Sequence, residues 1–153
     1  GQFEVELDTT FFTKTSFSLN TVNTKTFVLM LAREGPLNFV SGGDVPLGDV
    51  LRNCNKKEFH HLFPRKYLSD LGIDNARINA LTNLAILSKA DNNRLGGVRP
   101  SEYRKRMPES DERVRLILER ALCPNTLFSD DFDAFEKARS ELLVQKGRQL
   151  MKL

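Results

Sequence analysis

His60 and His61 are the only histidines of the chain, and they stand side by side in an apolar, aromatic stretch over residues 58–63. Hydrolysing a phosphodiester needs an activated water, charge stabilisation at the scissile phosphate and help for the leaving oxygen. One general base and one divalent cation can supply all three. Neighbouring side chains on a regular strand point to opposite faces, so adjacent imidazoles share a site only at a strand end or a kink. Pro64 follows closely and supplies a reason for such a break. Read by itself, the pair is weak evidence and points first to an ordinary core in which both rings are satisfied.

Asparagines downstream extend the set. Asn83 directly precedes a second apolar run over residues 84–87, and Asn92 and Asn93 fall in a segment opened by Ser88 and closed by Gly96 and Gly97. A serine cap and a glycine stop mark that segment as a short helix. An amide oxygen on it can face back across the strands as a hard ligand for Mg²⁺ or Mn²⁺. An asparagine at the start of the second strand can orient an imidazole by hydrogen bonding and fix its tautomer. Taken singly, each asparagine reads first as a cap or turn residue; with the histidines they form a recognisable group.

The elements that must position this group follow from periodicity and breakers. Residues 58–63 read as a strand ended by Pro64, residues 65–71 as a helical turn closed by Gly72, residues 84–87 as a second buried strand, and the stretch after Ser88 as the helix: strand, loop, strand, helix. Upstream, residues 1–22 mix four phenylalanines with many Thr, Ser and Asn and predict short extended or irregular segments. Residues 24–33 predict a buried helix with a Gly-Pro stop, residues 37–40 a short strand, and residues 46–53 a short helix with Val50 and Leu51 inward. Downstream, Ser101 opens a helix over residues 102–107, and Ser110 caps one over 111–122 with Val114, Ile117, Leu118 and Ala121 at helical spacing. Pro124 breaks it. Ser129 and the aspartates behind it start a long closing helix with the stripe Phe132, Phe135, Ala138 and Leu142.

With 153 residues and 40% hydrophobic content the chain can bury one core. The expected fold is a single α+β, mainly helical domain. The Gly1 start suggests a fragment of a larger polypeptide. No apolar run is long enough to span a bilayer or serve as a signal peptide, which argues for no membrane partner and a cytoplasmic location. Cys54 and Cys123 lie in no CxxC or CxxH arrangement, so a zinc knuckle is not expected and reduced thiols are. The formal charge of +3 alone does not announce a nucleic-acid binder. Its distribution says more: Lys89, Arg94, Arg99, Arg104, Lys105 and Arg106 stand against Asp91 and Glu102, whereas residues 109–141 carry an acidic excess. Basic charge thus gathers beside the motif, where a phosphate backbone would need it, although a solvated face has the same pattern.

In order and spacing the segments KEFHHLFPRKYL and INALTNLAILSKADNNRLGG, with PSEY over residues 100–103, resemble the HNH (ββα-metal) nuclease superfamily. They look like the C-terminal HNH domain of GmrSD-like and SspE-like prokaryotic DNA defence proteins. The likeness is clearest over residues 56–103, about a third of the chain. FEKARSELL near the end looks like that family's closing helix. The resemblance implies a ββα core over residues 56–97 with a helical C-terminal part over 100–153.

It also implies roles. His60 takes the metal-ligand position and His61 that of the general base. Asn83 is the middle residue that positions the base, and Asn93 is the final metal ligand, with Asn92 as the alternative register. Arg94 becomes a candidate phosphate contact, joined by Lys89, Arg65 and Lys66 as DNA-binding residues. An Asn at the last position leaves an oxygen-rich site, so Mg²⁺ or Mn²⁺ is expected rather than zinc. The implied function is a DNA endonuclease, nicking or cleaving, at the effector end of a restriction or anti-phage system. An N-terminal nucleotide-hydrolysing regulatory domain would be its partner in the same protein. The competing expectation is a non-catalytic DNA-binding or interaction module that retains the fold. Tyr67, Tyr103, Phe59, Leu62 and Phe63 are expected to pack, and Glu58 to sit on the strand surface.

Overall fold

A computed structural model of the chain describes residues 7–53 and 58–152. In order along the chain it contains α1 (Thr9–Lys14), α2 (Val22–Arg33), α3 (Leu47–Asn53), β1 (Phe59–His61), α4 (Arg65–Asp70), α5 (Asn75–Ile78), β2 (Leu84–Ile86), α6 (Lys89–Leu95), α7 (Pro100–Tyr103), α8 (Asp111–Arg120) and α9 (Phe132–Met151). The fold is α+β and mostly helical. Its sheet is a two-stranded antiparallel ribbon pairing Phe59 with Ile86, His60 with Ala85 and His61 with Leu84. Cys54, weighed above, and the first six residues of the stretch over 1–22 lie outside the described residues.

The ribbon is too short to be stable alone and is buried between two apolar clusters. One side carries Phe59, Leu84 and Ile86 into a cluster with Phe12, Phe27 and Leu143. The other side joins Ala85 and Leu87 to Phe39, Leu62, Phe63, Tyr103 and Phe135. Alternation along the strands divides the residues between these clusters, which fixes the register: a slip of one residue would send every side chain to the wrong side.

α6 begins where the sequence marks it. Ser88 accepts the Asp91 N–H, and Gly96, at φ +69, ends the helix in a conformation that only glycine adopts without strain. Gly72, at φ +78, follows α4 in the same way. α8 is capped by Ser110 as expected but ends at Arg120, with Leu122 at φ +50 turning the chain.

Several expectations are corrected. Residues 9–14 are helical rather than extended: Asp8 caps α1 by accepting the Phe11 N–H, and Phe12 packs on Phe27. Tertiary burial outweighs the weak helix propensity of its threonines. Residues 37–40 form no strand, only a bridge from Leu37 to Asp44. Here the buried Asp91 carboxylate takes the N–H groups of Val40 and Ser41 at 2.9 and 3.0 Å, bonds that a strand partner would otherwise have made. Leu51 is exposed while Val50 is buried. The turn after Pro100 starts with that proline in the first helical turn and tightens into a 3-10 turn at residues 104–106. α9 is capped by Asp131, not Ser129, because Asp130 is left-handed at φ +59.

The inner face of α9 holds Phe132, Phe135, Arg139 and Leu143 rather than Ala138 and Leu142. Its Arg139 is fully buried, donating to the carbonyls of Thr82, Leu84, Ala121 and Leu122 at 2.6 to 3.3 Å. Burial lowers its pKa to about 10, which keeps the guanidinium charged at neutral pH. It thereby ties the end of α8 to the start of β2, directly behind the candidate site.

Candidate active site

β1, the start of α4 and α6 enclose an open cleft of about 350 Å³. Phe59, His60 and His61 line it from β1, Pro64 and Arg65 from the entry to α4, Asn92 and Asn93 from α6, and Gly96 and Gly97 from the turn behind α6. A larger groove of about 620 Å³ lies between α1, α2 and the end of α9, and its lining is mostly apolar, with Asn23, Thr26 and Arg33 at its edge.

His60 sits mid-strand and is buried between Phe39 and Tyr103, whose rings meet it edge-on at centroid distances of 6.4 and 5.8 Å. Its Nδ1 lies 2.7 Å from the Asn92 amide oxygen. Since that oxygen only accepts, Nδ1 carries the proton and Nε2 keeps a lone pair, which is buried with no hydrogen-bond partner among the described residues. Burial is the main cause that lowers the His60 pKa to about 4, opposed by the bond to Asn92 and aided by His61. The ring is therefore neutral at physiological pH.

His61 is the last residue of β1, the strand end that adjacent histidines need to share a site. Its Nε2 lies 2.9 Å from the amide oxygen of Asn79, at the end of α5. Its pKa is also lowered, first by burial and further by the Arg65 charge, against the raising effect of Asn79. The chain leaving His61 is gripped closely. Leu62 N–H donates to the Asn83 carbonyl at 2.8 Å, and the Leu62 carbonyl accepts the Tyr103 hydroxyl at 2.8 Å.

Asn83 is fully buried and has no bond to either imidazole among the described residues; it works on the backbone. Its amide oxygen accepts the Phe63 N–H at 2.9 Å, and its amide group donates to the carbonyls of Phe63 and Ile78 at 3.0 and 2.9 Å. One side chain thus holds the segment after His61 and the residue before Asn79.

α6 is held in place by its own buried carboxylate. Asp91 binds the loop at Val40 and Ser41, and Asn38 in the same loop accepts the Ser88 N–H at 2.9 Å. Because Asp91 faces inward, Asn92 is turned toward β1 and Asn93 is exposed on the cleft wall. It is therefore Asn92, the alternative register, that meets His60.

Of the basic residues singled out in the sequence, Arg65 borders the cleft. Arg94 and Lys89 are exposed on α6, and Lys66 is exposed and paired with Asp70 at 3.0 Å; none of these three lines the cleft. Arg106 went unremarked as an individual residue: it donates to the Leu95 carbonyl and packs against Gly96 at the cleft edge. Asn79 was missed outright. Its only sequence signal is membership in a segment already carrying Asn83, and nothing in spacing joins it to His61.

Among the described residues there is no group of three or more His, Cys, Asp or Glu side chains able to hold a metal by themselves, and no helix is long and apolar enough to cross a membrane. Cys123 is buried and unbonded to another cysteine, with burial pushing its thiol up to about 12, so it offers no thiolate. No protein-family model matches the chain, and no curated protein and no solved structure matches it either.

Proposed function

We propose that the chain is a metal-dependent DNA endonuclease domain of the HNH (ββα-metal) type. The observation that carries this reading is the meeting of His60 and Asn92 at 2.7 Å, from a strand and from the helix after the paired strand, in the same cleft as a neutral His61. An ordinary core has no use for a buried imidazole with one nitrogen left unpartnered; a site that binds or moves charge does.

The donors fit a hard divalent cation. The His60 Nδ1 and the Asn92 amide oxygen stand 2.7 Å apart, a second amide is next to them on the wall, and the described residues offer no thiolate. So few protein ligands suit Mg²⁺ or Mn²⁺, which keep much of their coordination in water and phosphate oxygens. With the Nδ1–H bond to Asn92 given up and the His60 proton on Nε2, His60 and Asn92 would hold the ion, with Asn93 beside them, and when bound it would stabilise charge at the scissile phosphate and the leaving oxygen. His61 takes the proton from the attacking water, for which its lowered pKa keeps it in the basic form. Arg65 offers a charged contact for the phosphate at the cleft wall. The biological setting that fits this reading is the effector part of a prokaryotic restriction or anti-phage protein.

Incubating the 153-residue chain with supercoiled plasmid, and in parallel with structured RNA, under Mg²⁺ or Mn²⁺ tests the reading. Nicked or linear plasmid that disappears with chelator is expected. Plasmid left supercoiled beside an active control nuclease contradicts a self-sufficient endonuclease domain, and cleavage confined to RNA reassigns the substrate.

A further inference from the structure

We propose that Asn79 is the positioning residue for His61, holding the ring by its Nε2–H so that Nδ1 becomes the nitrogen that takes the proton. The proposal rests on the nuclease reading and adds to it a residue outside the histidine–asparagine set that suggested it.

The tautomer follows from the contact. An amide oxygen accepts and never donates, so at 2.9 Å from Nε2 it requires the proton to be there. A neutral imidazole has one N–H, which leaves Nδ1 with the lone pair. No hydrogen bond reaches Nδ1 among the described residues, and the ring borders the cleft. The nitrogen suited to accept a proton from water is thus the one left open.

Asn79 is itself fixed from three directions. Its carbonyl accepts the Phe17 N–H at 2.8 Å. The Ile78 carbonyl accepts the Asn83 amide at 2.9 Å. Arg77, two residues earlier, is bound to Glu136 of α9 at 3.1 and 3.2 Å. Since the Asn83 side chain also grips Phe63, base and holder are located relative to one another by a single buried amide. A holder that is held is what an oriented catalytic group needs; a residue only capping α5 would have no reason to aim its side chain at the imidazole.

Two measurements on the 153-residue chain test the assignment. In ¹⁵N NMR of the wild-type protein at mildly alkaline pH, His61 is expected as the Nε2–H tautomer, with that proton exchanging faster with solvent in Asn79→Ala. A wild-type His61 protonated at Nδ1 overturns the proposal. In single-turnover plasmid nicking, Asn79→Ala is expected to slow the saturated rate by roughly 10–100-fold while DNA affinity stays unchanged. Asn79→Asp keeps an acceptor oxygen in place but adds a charge that favours the protonated ring, so it should regain activity at alkaline pH with the acidic limb of its profile moved upward. Unchanged rates in Asn79→Ala, or an unmoved profile in Asn79→Asp, overturn the role. If the wild-type chain cuts neither DNA nor RNA, the reading as a self-sufficient nuclease domain fails, and the NMR result alone decides the positioning claim.

Discussion

Asn83 and Phe63 close a two-bond ring in the interior: the Phe63 N–H donates to the Asn83 amide oxygen at 2.9 Å, and the Asn83 amide donates back to the Phe63 carbonyl at 3.0 Å. With the third bond, to Ile78, this side chain joins the backbone on both sides of the candidate site. Asn83→Ala leaves three buried polar groups without partners, each at a cost of about 1 kcal/mol or more, so a loss of about 3 kcal/mol is expected in urea denaturation. A loss under about 1 kcal/mol would mean that water or relaxation replaces the asparagine, and that it does not organise the site.

His60 is predicted to be costly to the fold. Its Nε2 is buried and unpartnered among aromatic rings, so His60→Leu removes an unsatisfied group at similar volume. The variant should unfold at the same or higher denaturant concentration than wild type at neutral pH while losing metal-dependent cleavage, a separation typical of residues kept for chemistry. A marked destabilisation would return His60 to the role of an ordinary core residue.

The same ring makes stability depend on pH. Its folded pKa of about 4 lies below the 6.5 usual for a histidine, so the unfolded chain binds this proton first. Stability linked to His60 is full above pH 6.5 and drains as pH falls through that value toward about 4. His61 is shifted in the same direction and adds to the effect. Denaturation midpoints measured across this range should fall less steeply in His60→Leu than in wild type; parallel slopes would contradict the burial of this imidazole.

Arg139 is expected to be among the most sensitive positions of the helical scaffold. Arg139→Leu strands four carbonyls, three of them buried, at the junction of α8, α9 and β2, and a loss of about 3–5 kcal/mol is expected in the same denaturation assay. A near-neutral outcome would show that the junction closes without it.

Arg65 borders the cleft, whereas Lys66 beside it is exposed and paired with Asp70. Arg65→Ala should weaken DNA binding and reduce the slope of log affinity against log salt by about 1, as the loss of one phosphate contact does. Lys66→Ala should leave that slope nearly unchanged. Equal slopes in Arg65→Ala and wild type would remove Arg65 from the phosphate track.

Local signals carried the ribbon and its helix into view. Pro64 after β1, Ser88 before α6 and Gly96 behind it act within a few residues of the elements they bound, so they can be read without knowing the fold. Long-range bonds could not be read that way. Asp91 replaces a strand ladder at residues 37–40 by reaching a loop some fifty residues away. The buried face of α9 contains Arg139, a charged residue that any hydrophobic stripe omits until its four carbonyls are seen. In the site, the choice between Asn92 and Asn93 was open because both stand on one helical turn; the inward turn of Asp91 decides which meets His60. Asn79 was hidden for a similar reason. Its partner lies eighteen residues earlier, across a turn whose shape depends on Asn83.

The central claim is that this cleft performs metal-assisted hydrolysis with His61 as its base. Its most direct test is the rate of Mn²⁺- or Mg²⁺-dependent nicking of supercoiled plasmid by His61→Ala beside the wild-type chain, with folding of the variant checked by circular dichroism. The account predicts cleavage by the wild type and a loss of roughly 100-fold or more in the folded variant. A folded His61→Ala protein that nicks as fast as wild type would contradict it.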